Sequence, residues 1–322
     1  KKDGFYYILD DDTQGSTFIW KAASPFGPYT SKALIVNVAD PVPNTGPPDQ
    51  GSLIQTPNGD WYFMSFSWAY PSGRMPILAP ITWDEDGFPS LVTDSNGSWG
   101  VSYPNPLPLH PLSDWTFTDI FDGPDLGVSW EWNHNPDPTK YSVNNGLTLE
   151  TATVTTDLFH ARNTLTHRLH GEFPVGTVSI DISTMADGDI AGLAAFRDRT
   201  SWIGIQRSGD SYAIQMRYNA TQDESTWETV STGTIKATVD ISGTTQVWLR
   251  VSMDARPSGS HMSQFFYSMD GNNFTQLGPD YELYADWNYF LGYRFGIFNF
   301  ATEALGGSVL VTEFRNGCTS GC

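Results

Sequence analysis

The stretch SWIGIQRSGDSYAIQMRY, residues 201–218, alternates apolar and polar side chains on both sides of a Gly-Asp turn. That period belongs to a β-hairpin with one buried face. The same two-residue period recurs in YSVNNGLTLE (141–150), TVSIDIS (177–183), TQVWLRVSM (245–253), SQFFYSMDGNNFTQL (263–277) and SVLVTEF (308–314). No window of about eleven residues carries a helical 3.6-residue period. From Ser113 onward the natural solution is therefore two antiparallel sheets packed face to face. The span of residues 113–322 suits a large jelly-roll-like sandwich better than an immunoglobulin domain.

The first 112 residues read as strand pairs. Phe5–Leu9, Ser16–Lys21, Ser52–Gln55 with Trp61–Phe66 across Asn58-Gly59, and Pro76–Trp83 before Asp86-Gly87 are the clearest. Four-stranded units of this kind suit propeller blades, although too few strands are present to close a ring. The opening, KKDGFYYILDDD, reads as a turn at Asp3-Gly4 followed by the second strand of a hairpin, whose mate is expected ahead of Lys1 or from another chain. Ser98–Leu112, SWGVSYPNPLPLHPL, carries four prolines and reads as an extended linker. The expected domains are thus residues 1–112 and 113–322.

Charge narrows the partners. With 17 basic against 36 acidic residues, a formal charge of −19 repels nucleic acid and anionic lipid, and no apolar run approaches the roughly 20 residues of a membrane helix. A neutral sugar is compatible with that charge, and 12 Trp and 14 Tyr supply faces for ring stacking or for a sandwich core. The only cysteines, Cys318 and Cys322, offer too few ligands for a metal; they read as a terminal disulfide or a free redox pair, the former implying an oxidising compartment. Sequons at Asn96, Asn219 and Asn273 lie in turn-like segments, which agrees with a secreted glycoprotein.

Specific strings go further. SPFGPY (24–29), QGSLIQTPNGDWYFMSF (50–66) and GRMPILAPITWDEDGFP (73–89) resemble the final blades of the five-bladed propeller of glycoside hydrolase family 43. WEWNHNPDPTKYSV (130–143), ARNTLTHR (161–168) and GDIAGLAAF (188–196) resemble the concanavalin A-like sandwich of its β-xylosidase and α-L-arabinofuranosidase members. The resemblance implies an all-β fold, propeller blades followed by a sandwich, and an inverting exo-glycosidase without an organic cofactor. Its substrate would be arabinoxylan or its oligosaccharides, with arabinofuranose favoured over xylose. Inversion uses an acid and a base about 6.5–9.5 Å apart, with room for water between. By this likeness the catalytic carboxylates precede Lys1, none lies in this chain, and an N-terminal propeller fragment of the same precursor is the expected partner. Asp10–Asp12 and Asp84–Asp86 match no catalytic motif of the family and read as solvated turn charges.

The resemblance also nominates a pocket. Arg74 matches the family arginine that reaches from a blade toward the sugar, where its fork of donors holds hydroxyls. Trp68 and Tyr70 either wall that pocket or cap the blade. PPDQGS departs from the Gly-His-Gly string of many members, so Asp49 or Gln50 stands where a histidine would lie, in a pocket or a loop role, and a central calcium does not carry over. In YADWNYFLGYRFGIF (284–298), Phe290, or else Tyr289, matches the aromatic that the sandwich lends to the sugar site, the bland alternative being a core or edge aromatic. A structural calcium held by backbone carbonyls and one or two carboxylates near the first and last strands, with Asp119, Asp122 and Glu313 as candidate contributors, is expected by analogy with related sandwiches. His134, His167 and His170 lack metal-ligand spacing and read as structural. The competing functional readings are a non-catalytic carbohydrate-binding module and a structural partner chain of a nicked enzyme.

Overall fold

The computed structural model describes residues 1–12, 15–241 and 243–319, with Asp49 described by its backbone only. The described chain is almost wholly β, and it divides into two compact units, Lys1–Leu112 and Ser113–Cys322.

In the first unit, β1 (Tyr6–Asp11), β2 (Thr17–Ala22) and β3 (Thr30–Ile35) form an antiparallel meander. The four strands β4 (Gly46–Gln55), β5 (Trp61–Trp68), β6 (Arg74–Trp83) and β7 (Pro89–Leu91) form a second meander with the strand count of a propeller blade. Ile19, Leu34, Phe63, Ala79, Phe88 and Trp99 share one core that joins the two sheets. Within the described residues β1 pairs with β2, from Tyr6↔Ala22 to Asp11↔Thr17, and is the edge strand of its sheet, while the Lys2–Phe5 bridge closes the Asp3-Gly4 turn.

Two expectations for this unit change. Strand β3 escaped the sequence reading because TSKALI exposes four of its six residues, and Lys32 is spent on an ion pair with Asp84 and Asp86. The linker also begins later than its prolines suggest. Trp99 is only 2% exposed, and Tyr103 donates its hydroxyl to the Val92 carbonyl at 2.6 Å, so Trp99 and Tyr103 anchor this segment to the blade. Leu109 and Leu112 beyond them are exposed.

The second unit is a two-sheet sandwich. One sheet runs in the order Tyr141–Val143, Leu147–Glu150, Ser308–Cys318, Pro174–Asp181, Gln246–Met253, Met262–Ser268, Thr275–Gln276, with Phe117–Asp119 on Ser308–Cys318 and Tyr281–Glu282 on Met262–Ser268. The other runs Thr229–Asp240, Ser211–Gln222, Arg199–Ser208, Asp189–Phe196, Arg294–Ala301, Leu165–Arg168, Trp130–Trp132. Their facing sides enclose Leu149, Val178, Ile180, Leu193, Ile203, Leu249, Phe265 and Phe295.

A second, smaller core lies on the far face of the seven-stranded sheet. There Leu158 and Phe159, on a single 3-10 turn, cover Ile190, Ala194, Phe196, Trp202 and Phe298. Asp157 caps that turn by accepting from the Phe159 amide at 2.9 Å. His134 meets the Phe159 carbonyl at 2.7 Å, a structural role as expected from its spacing. Asp189–Phe196 is consequently buried on both faces and reads as a nearly continuous apolar run.

Candidate functional site

The four-stranded blade builds a local polar cluster from residues far apart in sequence. The β5–β6 hairpin sets Trp68 directly opposite Arg74, and the β4–β5 register sets Asp49 opposite Phe66. Two irregularities in that register, on either side of Asp49, break the strict alternation of β4, and Gln50 takes a left-handed backbone at φ 46°. Bulges of this kind re-aim side chains. Here Arg74 Nη1 donates to Gln50 Oε1 at 3.0 Å.

The Arg74 guanidinium lies 4.4 Å from the Phe66 ring centre and 5.9 Å from that of Trp68, so aromatic faces hold it in place. Gly51 lets the blade close behind the pair: a Cβ there would meet Phe63 at 2.1 Å and the Met64 carbonyl at 2.8 Å. The hairpin tip is tied by reciprocal bonds between Ala69 and Gly73, with Tyr70 buried against the blade. Of the expected pocket residues, the fold thus brings Gln50, Trp68 and Arg74 together. The Asp49 side chain lies outside the described residues.

A carboxylate absent from the sequence reading lies in the same unit. Asp40 Oδ1 accepts from Ser67 Oγ on β5 at 2.7 Å and from the Val42 amide at 2.7 Å, while Oδ2 is buried with no hydrogen-bond partner among the described residues. Its string, VNVADPV, carries no motif that would single it out. The acidic turns are engaged in local bonds instead of being simply solvated. Asp84 accepts from Lys32 and from the Phe88 amide, which hold its carboxyl below the usual range, and Asp11 and Asp12 bond Thr17 and Ser16.

On the sandwich, Phe290 is 53% exposed with φ 63°, and it meets Trp287 edge-on at 6.0 Å. Tyr289 is less exposed and contacts Trp227 at 5.4 Å; burial raises its phenol pKa. Arg197 organises this segment from below. Fully buried, it donates to the backbone carbonyls of Tyr284 (2.6 Å) and Asp286 and lies beside the rings of Tyr284, Tyr289 and Tyr293.

The calcium ligands expected in the sandwich are not assembled. Asp119 gives one oxygen to the Phe121 amide and the other to the Trp130 indole, both at 2.8 Å. Glu313 accepts from Trp248 and is paired with Arg315, a cation where calcium would need further oxygens. Asp122 joins neither, and no group of three acidic, histidine or cysteine residues suited to a metal occurs among the described residues. These three residues do not fit calcium. Cys318 is disulfide-bonded, whereas Cys322 lies outside the described residues.

Comparison with known proteins agrees with this architecture. Residues 118–315 match the family described as the β-xylosidase C-terminal concanavalin A-like domain. The chain is 25% identical to a β-xylosidase of Formosa agariphila over 327 aligned positions, covering 90% of this chain and 51% of that protein. It is 29% identical over 159 positions to a non-reducing-end α-L-arabinofuranosidase of Bacteroides ovatus, covering 43% and 28%. Among solved structures, a family 43 glycoside hydrolase engineered at its active site to display both endo-xylanase and exo-arabinofuranosidase activity superposes with a TM-score of 0.95 at 40% identity, covering 99% of this chain and 63% of that one. The chain therefore spans about half the length of the β-xylosidase it matches.

Proposed function

The chain belongs to glycoside hydrolase family 43, with the concanavalin A-like C-terminal domain of its β-xylosidases, and from that membership we propose that it supplies a sugar-binding wall and supporting sandwich to an inverting exo-glycosidase. The observation that carries this reading is the Arg74–Gln50 pair, backed by Phe66 and Trp68 on a propeller-type blade. A guanidinium held beside an amide and two rings presents a planar fork of N–H groups in a set direction, the geometry that suits vicinal sugar hydroxyls. Trp68 adds an apolar face for a ring.

The reaction is cleavage by single displacement. A base takes a proton from water as it attacks the anomeric carbon, and an acid protonates the departing oxygen. In this proposal both carboxylates come from sequence that the longer relatives carry beyond the matched part, an N-terminal propeller segment of the same precursor. Arg74 orients the sugar. The substrate is a terminal arabinofuranosyl or xylosyl unit of arabinoxylan or its oligosaccharides; likeness to enzymes named for both activities supports that pair, and the 40% identical solved enzyme supports arabinofuranose. Exposed asparagines at all three sequons support a secreted glycoprotein.

Release of aryl alcohol from aryl α-L-arabinofuranoside and aryl β-xyloside tests the reading. Turnover is expected from a polypeptide that includes the upstream segment and none from the 322-residue chain alone. Hydrolysis by the 322-residue chain alone would overturn the placement of the acid and base.

A further inference from the structure

A groove of about 510 Å³ opens on the outer face of the nine-stranded sheet, and its lining includes Thr118, Thr177, Arg250 and Arg315. The register makes these four side chains a single cross-strand row: Thr118 opposes Arg315, Arg315 opposes Thr177, and Thr177 opposes Arg250. Directly opposed residues share a face. Long, short and long side chains in succession leave a trough floored by the buried Thr177, with the two arginines roughly 10 Å apart at their Cα atoms, twice the strand spacing.

The trough is organised for an anion. Arg250 Nε donates to Thr177 Oγ1 at 2.9 Å, and the Phe274 ring lies 3.5 Å from the guanidinium carbon, covering one of its faces. The Nη edges are what remain for a ligand. Arg315 is paired with Glu313, but Arg250 has no carboxylate within ion-pair distance among the described residues. Burial, reinforced by the Arg315 charge, pushes the Arg250 pKa down. Glu313 borders the groove through its bond to Arg315, whose other Nη meets the Gly271 carbonyl at 3.5 Å, so Arg250 is the guanidinium left without a carboxylate among the described residues, in a chain whose formal charge is −19.

We propose that this trough is a secondary binding site for a sugar that carries a carboxylate, a uronic acid unit, with the carboxylate on Arg250 and Arg315 and ring hydroxyls on the threonines. The planar guanidinium fork matches a carboxylate in two parallel hydrogen bonds. Threonine hydroxyls give and accept bonds with sugar hydroxyls. The choice of a sugar acid over another anion rests on the carbohydrate reading proposed above. The site would hold acidic branches of a polysaccharide.

Titration of the full chain with glucuronic acid, glucose and inorganic phosphate, followed by calorimetry, tests this. Saturable millimolar binding of glucuronic acid is expected, weakening as salt rises. Glucose should give no saturable signal, and phosphate should bind about tenfold more weakly than glucuronic acid. Arg250→Gln and Arg315→Gln should each weaken glucuronic acid about tenfold, with circular dichroism confirming an intact fold; Arg315→Lys, which keeps the charge, should restore part of the loss. Absence of glucuronic acid binding, equal binding of phosphate, or folded arginine variants that bind as the parent does would each overturn the proposal. Glycoside release measured on the same variants separates the two readings: activity without glucuronic acid binding defeats the trough alone.

Discussion

Acidification should act on the sandwich in large part through His167. His167 is buried among Phe117, Trp130, His170 and Phe314, with ring-centre distances of 5.2 to 5.4 Å. Its Nδ1 meets the Arg168 carbonyl at 2.8 Å, and its Nε2 is buried without a partner among the described residues. Burial pushes its pKa from 6.5 down to about 4; the nearby His170 acts the same way, while the Arg168 carbonyl, Asp119 and Glu131 oppose it.

Because the folded state binds this proton more weakly than the unfolded chain, stability is fully retained above pH 6.5 and falls between there and about pH 4. The gap, at about 1.36 kcal/mol per pH unit, amounts to a loss of about 3 kcal/mol. His167→Phe preserves a ring in the cluster and removes the proton site. Denaturant unfolding of parent and variant at several pH values, followed by tryptophan fluorescence, isolates the effect as a difference between the two proteins. The parent should lose about 3 kcal/mol more than the variant on going from pH 7 to pH 4. Parallel pH profiles would refute the reasoning, since burial would then impose no penalty on the charged ring.

Two further substitutions test the packing that holds each unit. Gly51→Ala should lower the stability of the blade by about 1–3 kcal/mol, because its Cβ would collide with the core ring of Phe63; thermal unfolding reads this, and an unchanged midpoint would contradict the close approach. Asp254 accepts from the Arg256 guanidinium at 2.8 and 2.9 Å and from the Ser260 amide and hydroxyl, contacts that hold its carboxyl well below the usual range. Asp254→Ala should cost about 2–3 kcal/mol at neutral pH in the same assay. For the parent that contribution is complete above the ordinary carboxylate pKa and is lost only in stronger acid.

The sandwich was largely legible in the sequence because each half-buried strand keeps its two-residue period, as in Gln246–Met253 with its strict inside-outside pattern. Legibility failed where tertiary cover changes the rule. Asp189–Phe196 is buried on both faces because Leu158 and Phe159 close over it, so no alternation survives. Strand β3 shows the opposite case, too exposed to signal a core. At the candidate site the blade arginine stood out by family likeness, but its contact with Gln50 depends on a bulged register 24 residues away, which spacing alone does not encode. Residue type alone also does not disclose that Asp119 and Glu313, near in register, are committed to an indole and a guanidinium.

The central claim, that Arg74 holds the sugar undergoing cleavage, is tested most directly by kcat/KM on aryl α-L-arabinofuranoside for Arg74→Ala in the active enzyme containing this chain. Loss of a charge-assisted contact predicts a fall of about a hundredfold, equivalent to ~2.7 kcal/mol, with the fold and the thermal midpoint unchanged. Kinetics indistinguishable from the parent on both the arabinofuranoside and the xyloside would contradict the account.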